Sequence, residues 1–235
     1  MRATAVIPVK RFRGAKQRLS TELGDGARVR VVRAMLDDVL ASVIRSEAIE
    51  RVIVVTGERR AERIAMWHAK RAAVPLEVLR DPRDQGHSEA ATLGVVRAIG
   101  LGAQCVALLP GDCPLLDPAE LDDALGRAST GRVTIVPDRH LTGTNGLLLA
   151  PPFAIGPSFG EGSRERHERL VRKAGHEPVV EPLESMALDL DTPEDLAALE
   201  AELRLDPSLA PRTADALREL SSGGGRARTR SGAPA

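Results

Sequence analysis

The chain has 235 residues, 43% hydrophobic and 2% aromatic, with 33 Lys and Arg against 33 Asp and Glu. That length suits one α/β domain with a tail, and the balanced charge and scarce rings exclude a chain drawn globally to DNA, to an anionic membrane or to stacked single-stranded bases. No apolar stretch is long enough to span a bilayer, and the N-terminus enters a strand pattern without a secretory leader, so the expected compartment is the cytoplasm.

Ala3 to Val9 reads as the first strand. A basic loop with Lys10, Arg13, Lys16 and Arg18 follows. Val32, Leu36, Val39, Leu40 and Val43, with Met35, recur at helical spacing and predict an amphipathic helix near 26–46. Val52–Val55 is a second strand, 58–72 a polar-faced helix and Leu76–Leu79 a third strand. A loop rich in Asp, Pro and Gly leads into a helix near 88–99. The apolar run Gln104–Leu109 reads as a buried strand stopped by Pro110-Gly111, which leaves Asp112 at its carboxyl end. Asp117-Pro118 opens a helix near 118–128, and Val133–Pro137 is a strand. This alternation predicts an α/β fold with a mostly parallel sheet and helices on both faces.

Beyond 137 the pattern changes. Gly143–Gly146 reads as a turn into a hairpin strand, Leu147–Ala150. A helix is expected over 163–174, and strands through Val179 and over Met186–Leu188. Thr192-Pro193-Glu194-Asp195 carries an N-cap, a first-position proline and first-turn acids, and opens a helix to about Leu205. A short helix is expected over 207–220. The expected organisation is one domain over 1–205, a helical extension over 206–220 and a disordered Gly-, Ser- and Arg-rich tail over 221–235. Cys105 and Cys113 lack a metal or redox spacing; the first reads as core and the second as a turn residue.

Four constellations can carry chemistry. Lys10, Arg13, Lys16 and Arg18 lie between a strand and a helix, where cations and helix amides can converge on phosphates. No Gly-Lys-Ser/Thr ends the loop, so it is not a Walker A sequence; its bland alternative is a solvated charge run. Asp112 can hold a hard cation such as Mg²⁺ against a phosphate, or merely brace the turn that Asp117 caps. Asp189 and Asp191 alternate onto one face of an extended segment at a strand's end, where they can join Asp112 around Mg²⁺ or support the Thr192 cap. Gly160 and Gly162 before Ser163 can bring backbone amides to an anion, with Thr144 nearby, or Ser163 is an ordinary N-cap. Gly86-His87-Ser88 opens a helix and can contact a nucleobase or cap. His140 and His167 lie near these loops and receive no role; a lone histidine is more often structural than catalytic.

Taken in order, Ile7-Pro-Val-Lys10, Ala15-Lys16-Gln-Arg18-Leu19, Leu109-Pro-Gly-Asp112-Cys-Pro-Leu115, Gly143-Thr144-Asn-Gly146, Phe159-Gly160-Glu-Gly162-Ser163 and Asp189-Leu-Asp191-Thr-Pro-Glu-Asp-Leu196 resemble the CofC/FbiD guanylyltransferases. The resemblance spans about residues 3–200. It implies a Rossmann-like core of the MobA-like, nucleotide-diphospho-sugar transferase type. It implies GTP as donor, phosphoenolpyruvate or 2-phospho-L-lactate as acceptor and pyrophosphate as by-product, in synthesis of the deazaflavin coenzyme F-420. By matching motif, Thr144, Gly160 and Ser163 resemble phosphoenolpyruvate-binding residues, and Asp112, Asp189 and Asp191 resemble Mg²⁺ ligands. Lys10, Lys16, Arg18, Gly86 and Ser88 are then the expected nucleotide contacts, with Lys16, Arg18 and Asp112 catalytic. Many family members read Gly-Leu-Asn where this chain has Gly86-His87-Ser88.

Such a protein would work on small molecules, with transient contact to the next F-420 synthesis enzyme and no nucleic-acid or membrane partner. Its oligomeric state is open. The rival readings are a metal-dependent glycosyltransferase, from the Asp189-Leu-Asp191 pattern, and a non-catalytic nucleotide-binding module, from the altered 86–88 loop. A molybdopterin guanylyltransferase is nearer, but its Gly-rich opening loop is replaced here by Pro8-Val9-Lys10.

Overall fold

The computed structural model describes residues 1–12 and 14–222. Arg13 and the tail from 223 lie outside the described residues. Seven strands form one sheet in the order β3-β2-β1-β4-β6-β5-β7. They are β1 (Ala3–Val9), β2 (Ile49–Thr56), β3 (Leu76–Arg80), β4 (Val106–Leu108), β5 (Arg132–Pro137), β6 (Thr144–Ala150) and β7 (Glu177–Val180). Among the described residues seven α-helices accompany them: α1 (Asp25–Val43), α2 (Arg59–Ala69), α3 (His87–Gly100), α4 (Pro118–Arg127), α5 (Ser163–Lys173), α6 (Pro193–Leu205) and α7 (Pro211–Ser222). Only β6 runs against its neighbours β4 and β5, so the expected mostly parallel sheet is observed.

The period of two along β1 divides the interior. Ala3, Ala5, Ile7 and Val9 enter a core shared with α1, α2, α4, α6 and α7. Val6 points to the opposite face, into a core shared with α3 and α5. A sheet buried on both faces needs continuous apolar strands, and every residue of β1 is buried. Small residues set how close the helices come. A Cβ on Gly94 of α3 would overlap Val6 and crowd Val55.

Two local expectations are corrected. Met186–Leu188 is not a strand: a 3-10 turn covers Glu184–Met186 and the chain then continues irregularly. Pro182 interrupts the run after β7, and Met186 and Leu190 enter the core singly; three apolar residues do not specify a ladder. The hairpin turn also lies earlier than expected. Pro137 pairs with Thr144, so 138–143 form the loop and Thr144–Gly146 belong to β6. The helix expected over 207–220 is α7, and its Ala214, Leu217 and Leu220 belong to the core that holds α1.

Candidate active site

Strand direction assembles the site. β1 and β4 are parallel, so Lys10 and Asp112 both emerge from carboxyl ends. β6 is antiparallel to β4, with Leu108 opposite Leu147, so the residues that start β6 meet those that follow β4. Thr144 therefore arrives at the edge that carries Asp112. β7 runs parallel to β5, and the segment after it returns along the same edge with Asp189 and Asp191. The result is a cavity of about 780 Å³ lined by Lys10, Arg18, Ser88, Asp112, Asp189 and Asp191, and by Thr144, Gly160 and Ser163. A second cavity of about 380 Å³ shares Lys10, His87, Asp112 and Asp191, and adds Lys16. Gly86 lines neither cavity.

Lys16 is the electrostatic hinge of this edge. Its ammonium lies 2.5 Å from Asp112 Oδ2 and 2.6 Å from Asp191 Oδ1, and its side chain is only 10% exposed. The backbone reaches this position through a left-handed conformation (φ 55°), which costs a non-glycine residue about 1–2 kcal/mol. The two ion pairs offset that cost. Phe12, buried, plugs the loop from below while its N–H donates to Glu58. Burial alone would lower the Lys16 pKa, but the charges of Asp112 and Asp191 outweigh it and raise it. Burial would likewise raise the Asp112 pKa; the adjacent Lys16 holds it below the usual range instead. For Asp189 the opposing pull of Lys16 and the Asn145 hydrogen bond are too weak to compensate. Burial first, then the charges of Asp112 and Asp191, push it up to about 6.

The capping alternatives fail for all three carboxylates. Asp117 caps α4 by accepting the Ala119 N–H. At α6 the cap is Thr192, and Asp195 closes the capping box and also accepts the Asp191 N–H. Asp112, Asp189 and Asp191 therefore turn their side chains to the cavity. As the side chains stand, with Lys16 between two of these carboxylates, no group of three or more His, Cys, Asp or Glu among the described residues is placed to hold a metal ion.

On the far wall, Ser163 is the first residue of α5 and Gly162 is its N-cap, in the left-handed conformation (φ 64°). Ser163 is thus not the N-cap that its spacing allows. Its N–H donates to Gly160 O, and the Arg164 N–H donates to Thr142 O, so these helix amides are already used. Gly160 also needs a positive φ (113°). Arg166 holds this loop through the carbonyls of Ser158, Phe159 and Glu161. Ser88 accepts the Phe159 N–H at 2.9 Å, and so ties the 86–88 segment to this wall. His87 stacks edge-on against Phe159; burial, then the nearby Lys10 and Lys16 and against the pull of Asp112, brings its pKa down to about 4.

Sequence pattern missed Asn145, which donates to Met186 O and reaches Asp189, and His167, which bonds Thr144. Asn145 stood inside an expected turn, and a lone histidine carries no spacing signal. Cys113 is buried, its thiol pKa raised by that burial, in keeping with a turn residue.

The fold is shared with solved structures of low identity. A putative nucleotide-diphospho-sugar transferase from Desulfovibrio desulfuricans superposes with a TM-score of 0.71 at 19% identity, covering 94% of this chain and 96% of that one. The two chains share this fold. The family model described as guanylyl transferase, CofC like, matches residues 3–202. A phosphoenolpyruvate guanylyltransferase of Conexibacter woesei is 46% identical over 201 residues, 85% of this chain and 87% of that protein. A 3-phospho-D-glycerate guanylyltransferase of Phenylobacterium zucineum is 34% identical over 223 residues, 94% of this chain and 97% of that protein. The chain belongs to the CofC-like guanylyl transferase family, a family of nucleotidyltransferases.

Proposed function

We propose that this protein joins GMP from GTP to the phosphate of phosphoenolpyruvate and releases pyrophosphate, a step of coenzyme F-420 synthesis. The observation that carries the reading is one cavity in which three carboxylates face Lys10, Arg18 and the Thr144–Ser163 wall, in a chain 46% identical to a phosphoenolpyruvate guanylyltransferase. A phosphate oxygen of the acceptor attacks the α-phosphorus, a new P–O bond forms, and the bond to the β-phosphate oxygen breaks with its electron pair. The attacking phosphate oxygen is already ionised at neutral pH, so no general base is needed.

Charge repulsion is the main barrier. Two like unit charges at about 4 Å repel by about 4 kcal/mol at an effective dielectric near 20. Lys10 and Arg18, both exposed on the cavity wall, would hold the triphosphate and the departing pyrophosphate. Lys16 would stabilise the same charge from the carboxylate side while holding Asp112 and Asp191 in register. Thr144, Gly160 and Ser163 would bind the acceptor, with Ser88 on the nucleotide side; Gly86, outside the lining of both cavities, would only shape the turn into α3. Asp112, Asp189 and Asp191 would hold a divalent cation if the Lys16 ammonium, now paired with Asp112 and Asp191, turned from between them toward the triphosphate. Mg²⁺ held there would supply charge neutralisation between the reacting phosphates.

A second acceptor class is favoured by one finding: the relative named for 3-phospho-D-glycerate is 34% identical across nearly the whole chain. The test is incubation with GTP, Mg²⁺ and phosphoenolpyruvate, 2-phospho-L-lactate or 3-phospho-D-glycerate, with pyrophosphate and adduct mass as readouts. Phosphoenolpyruvate should be consumed fastest, and a folded Asp112→Asn variant should lose about two orders of magnitude in turnover. Preference for another acid removes the acceptor assignment. Pyrophosphate release from none of them removes the activity.

A further inference from the structure

The reaction as described leaves His167 without a task. This histidine is fully buried in α5, between the wall loop and the start of β6. The backbone N–H of Ser158 donates to its Nε2 at 2.9 Å. A backbone N–H can only donate, so Nε2 must offer a lone pair. A neutral imidazole carries one proton, and with Nε2 bare that proton sits on Nδ1. Nδ1 lies 3.0 Å from Thr144 Oγ1, so the ring donates to the threonine. A hydroxyl has one hydrogen. With its oxygen accepting from His167, the Thr144 hydrogen is left to point elsewhere, and Thr144 lines the cavity.

We propose that His167 is a positioning residue that makes the Thr144 hydroxyl an obligate hydrogen-bond donor toward an anionic oxygen of the acceptor. This rests on the reading of Thr144 as an acceptor contact. Without the imidazole donor, the hydroxyl can rotate and present a lone pair to the anion. The neighbouring Arg166 completes the device: it binds the carbonyl of the same Ser158 whose N–H His167 receives. Two successive residues of one helix therefore hold both backbone polar groups of Ser158, at the entry to the Gly160–Ser163 turn. Burial, and secondly the Arg166 charge, lower the His167 pKa to about 4, which keeps the ring in its one-proton form at neutral pH.

Two substitutions separate the two bonds. The amide of His167→Asn lies near the place of Nδ1 and can still donate to Thr144. The amide of His167→Gln lies near Nε2 and serves only Ser158. The Gln variant should raise the acceptor KM about tenfold, the worth of one hydrogen bond to a charged group, with the GTP KM within about twofold of the parent. The Asn variant should recover most of that loss. Thr144→Val should match the Gln variant, and adding His167→Gln to Thr144→Val should cost nothing further. Fully additive effects, or an Asn variant as impaired as Gln, overturn the proposal. The acceptor is whichever acid the parent turns over. Should it turn over none, the functional reading falls alone, because ¹⁵N-histidine spectra of the intact protein at pH 7 still decide. A His167 ring protonated at Nδ1 and bare at Nε2 supports the assignment; protonation at Nε2 overturns it.

Discussion

Asp189 shows how a single residue can be held against its own stability. Its carboxyl is half-buried and repelled by two others, and its pKa is pushed up from the usual 3.8 to about 6. A folded-state value above the unfolded one means that the native protein binds more protons between pH 3.8 and 6. The ionised group therefore destabilises the fold above about pH 6, and that penalty fades as the pH falls. In EDTA at pH 7, Asp189→Asn should stabilise the protein by about 1–2 kcal/mol, discounted for partial exposure, or roughly 2–6 °C in Tm. The gain should shrink between pH 6 and 4. Added Mg²⁺ should raise the Tm of the parent more than that of the variant. A variant less stable than the parent at pH 7, or a parent indifferent to Mg²⁺, contradicts this account. The aspartates themselves were legible in the sequence because Asp112 and Asp189 each follow an apolar run, Asp191 alternates with Asp189, and Asp117 and Thr192 already supply the nearby caps. Their mutual repulsion was not, because it depends on how closely residues from separate segments approach.

Among the elements, α3 connects packing to the site. Its first turn carries His87 and Ser88 to the cavity wall, and its middle rests on β1 and β2 through Gly94. A methyl group there meets Val6 and Val55, side chains of a sheet buried on both faces. Gly94→Ala should destabilise the protein by about 1–3 kcal/mol, as overpacking does, with a lowered urea midpoint and a raised KM for the acceptor through the Ser88–Phe159 bond. An unchanged midpoint would show that the helix can shift freely. The helix was readable from its spacing, but its closeness to the sheet was not, since a glycine inside a helical pattern reads only as a weak breaker. The opposite error occurred at Met186–Leu188, where residues bound for separate places in the core looked like a strand.

At the scale of the whole molecule, α7 closes the core from outside the family match, which ends at residue 202. Asp38 of α1 accepts hydrogen bonds from the Arg212 and Thr213 N–H groups and from the Thr213 hydroxyl. It thus caps a helix 174 residues further along the chain. Leu217 and Leu220 then bury against that core, each worth about 1.5–3 kcal/mol. Asp38→Ala should cost about 1–2 kcal/mol as a lost cap, seen as a lower unfolding midpoint, with both substrate KM values unchanged because no α7 residue lines the cavity. A kinetic defect in this variant would show that the helix is coupled to the site.

Local pattern was enough for most strands and helices, for the caps at Asp117 and Thr192 and for the class of fold, because periodicity and capping are properties of neighbours in the chain. It was also enough to single out the acidic, basic and glycine-rich segments. Folding alone settled how they act on one another. Lys16 neutralises partners 96 and 175 residues away, and His167 directs a hydroxyl 23 residues earlier. Such pairings follow from strand order and from the reversed direction of β6, which no local window contains, and buried charges and protons answer to distance in space.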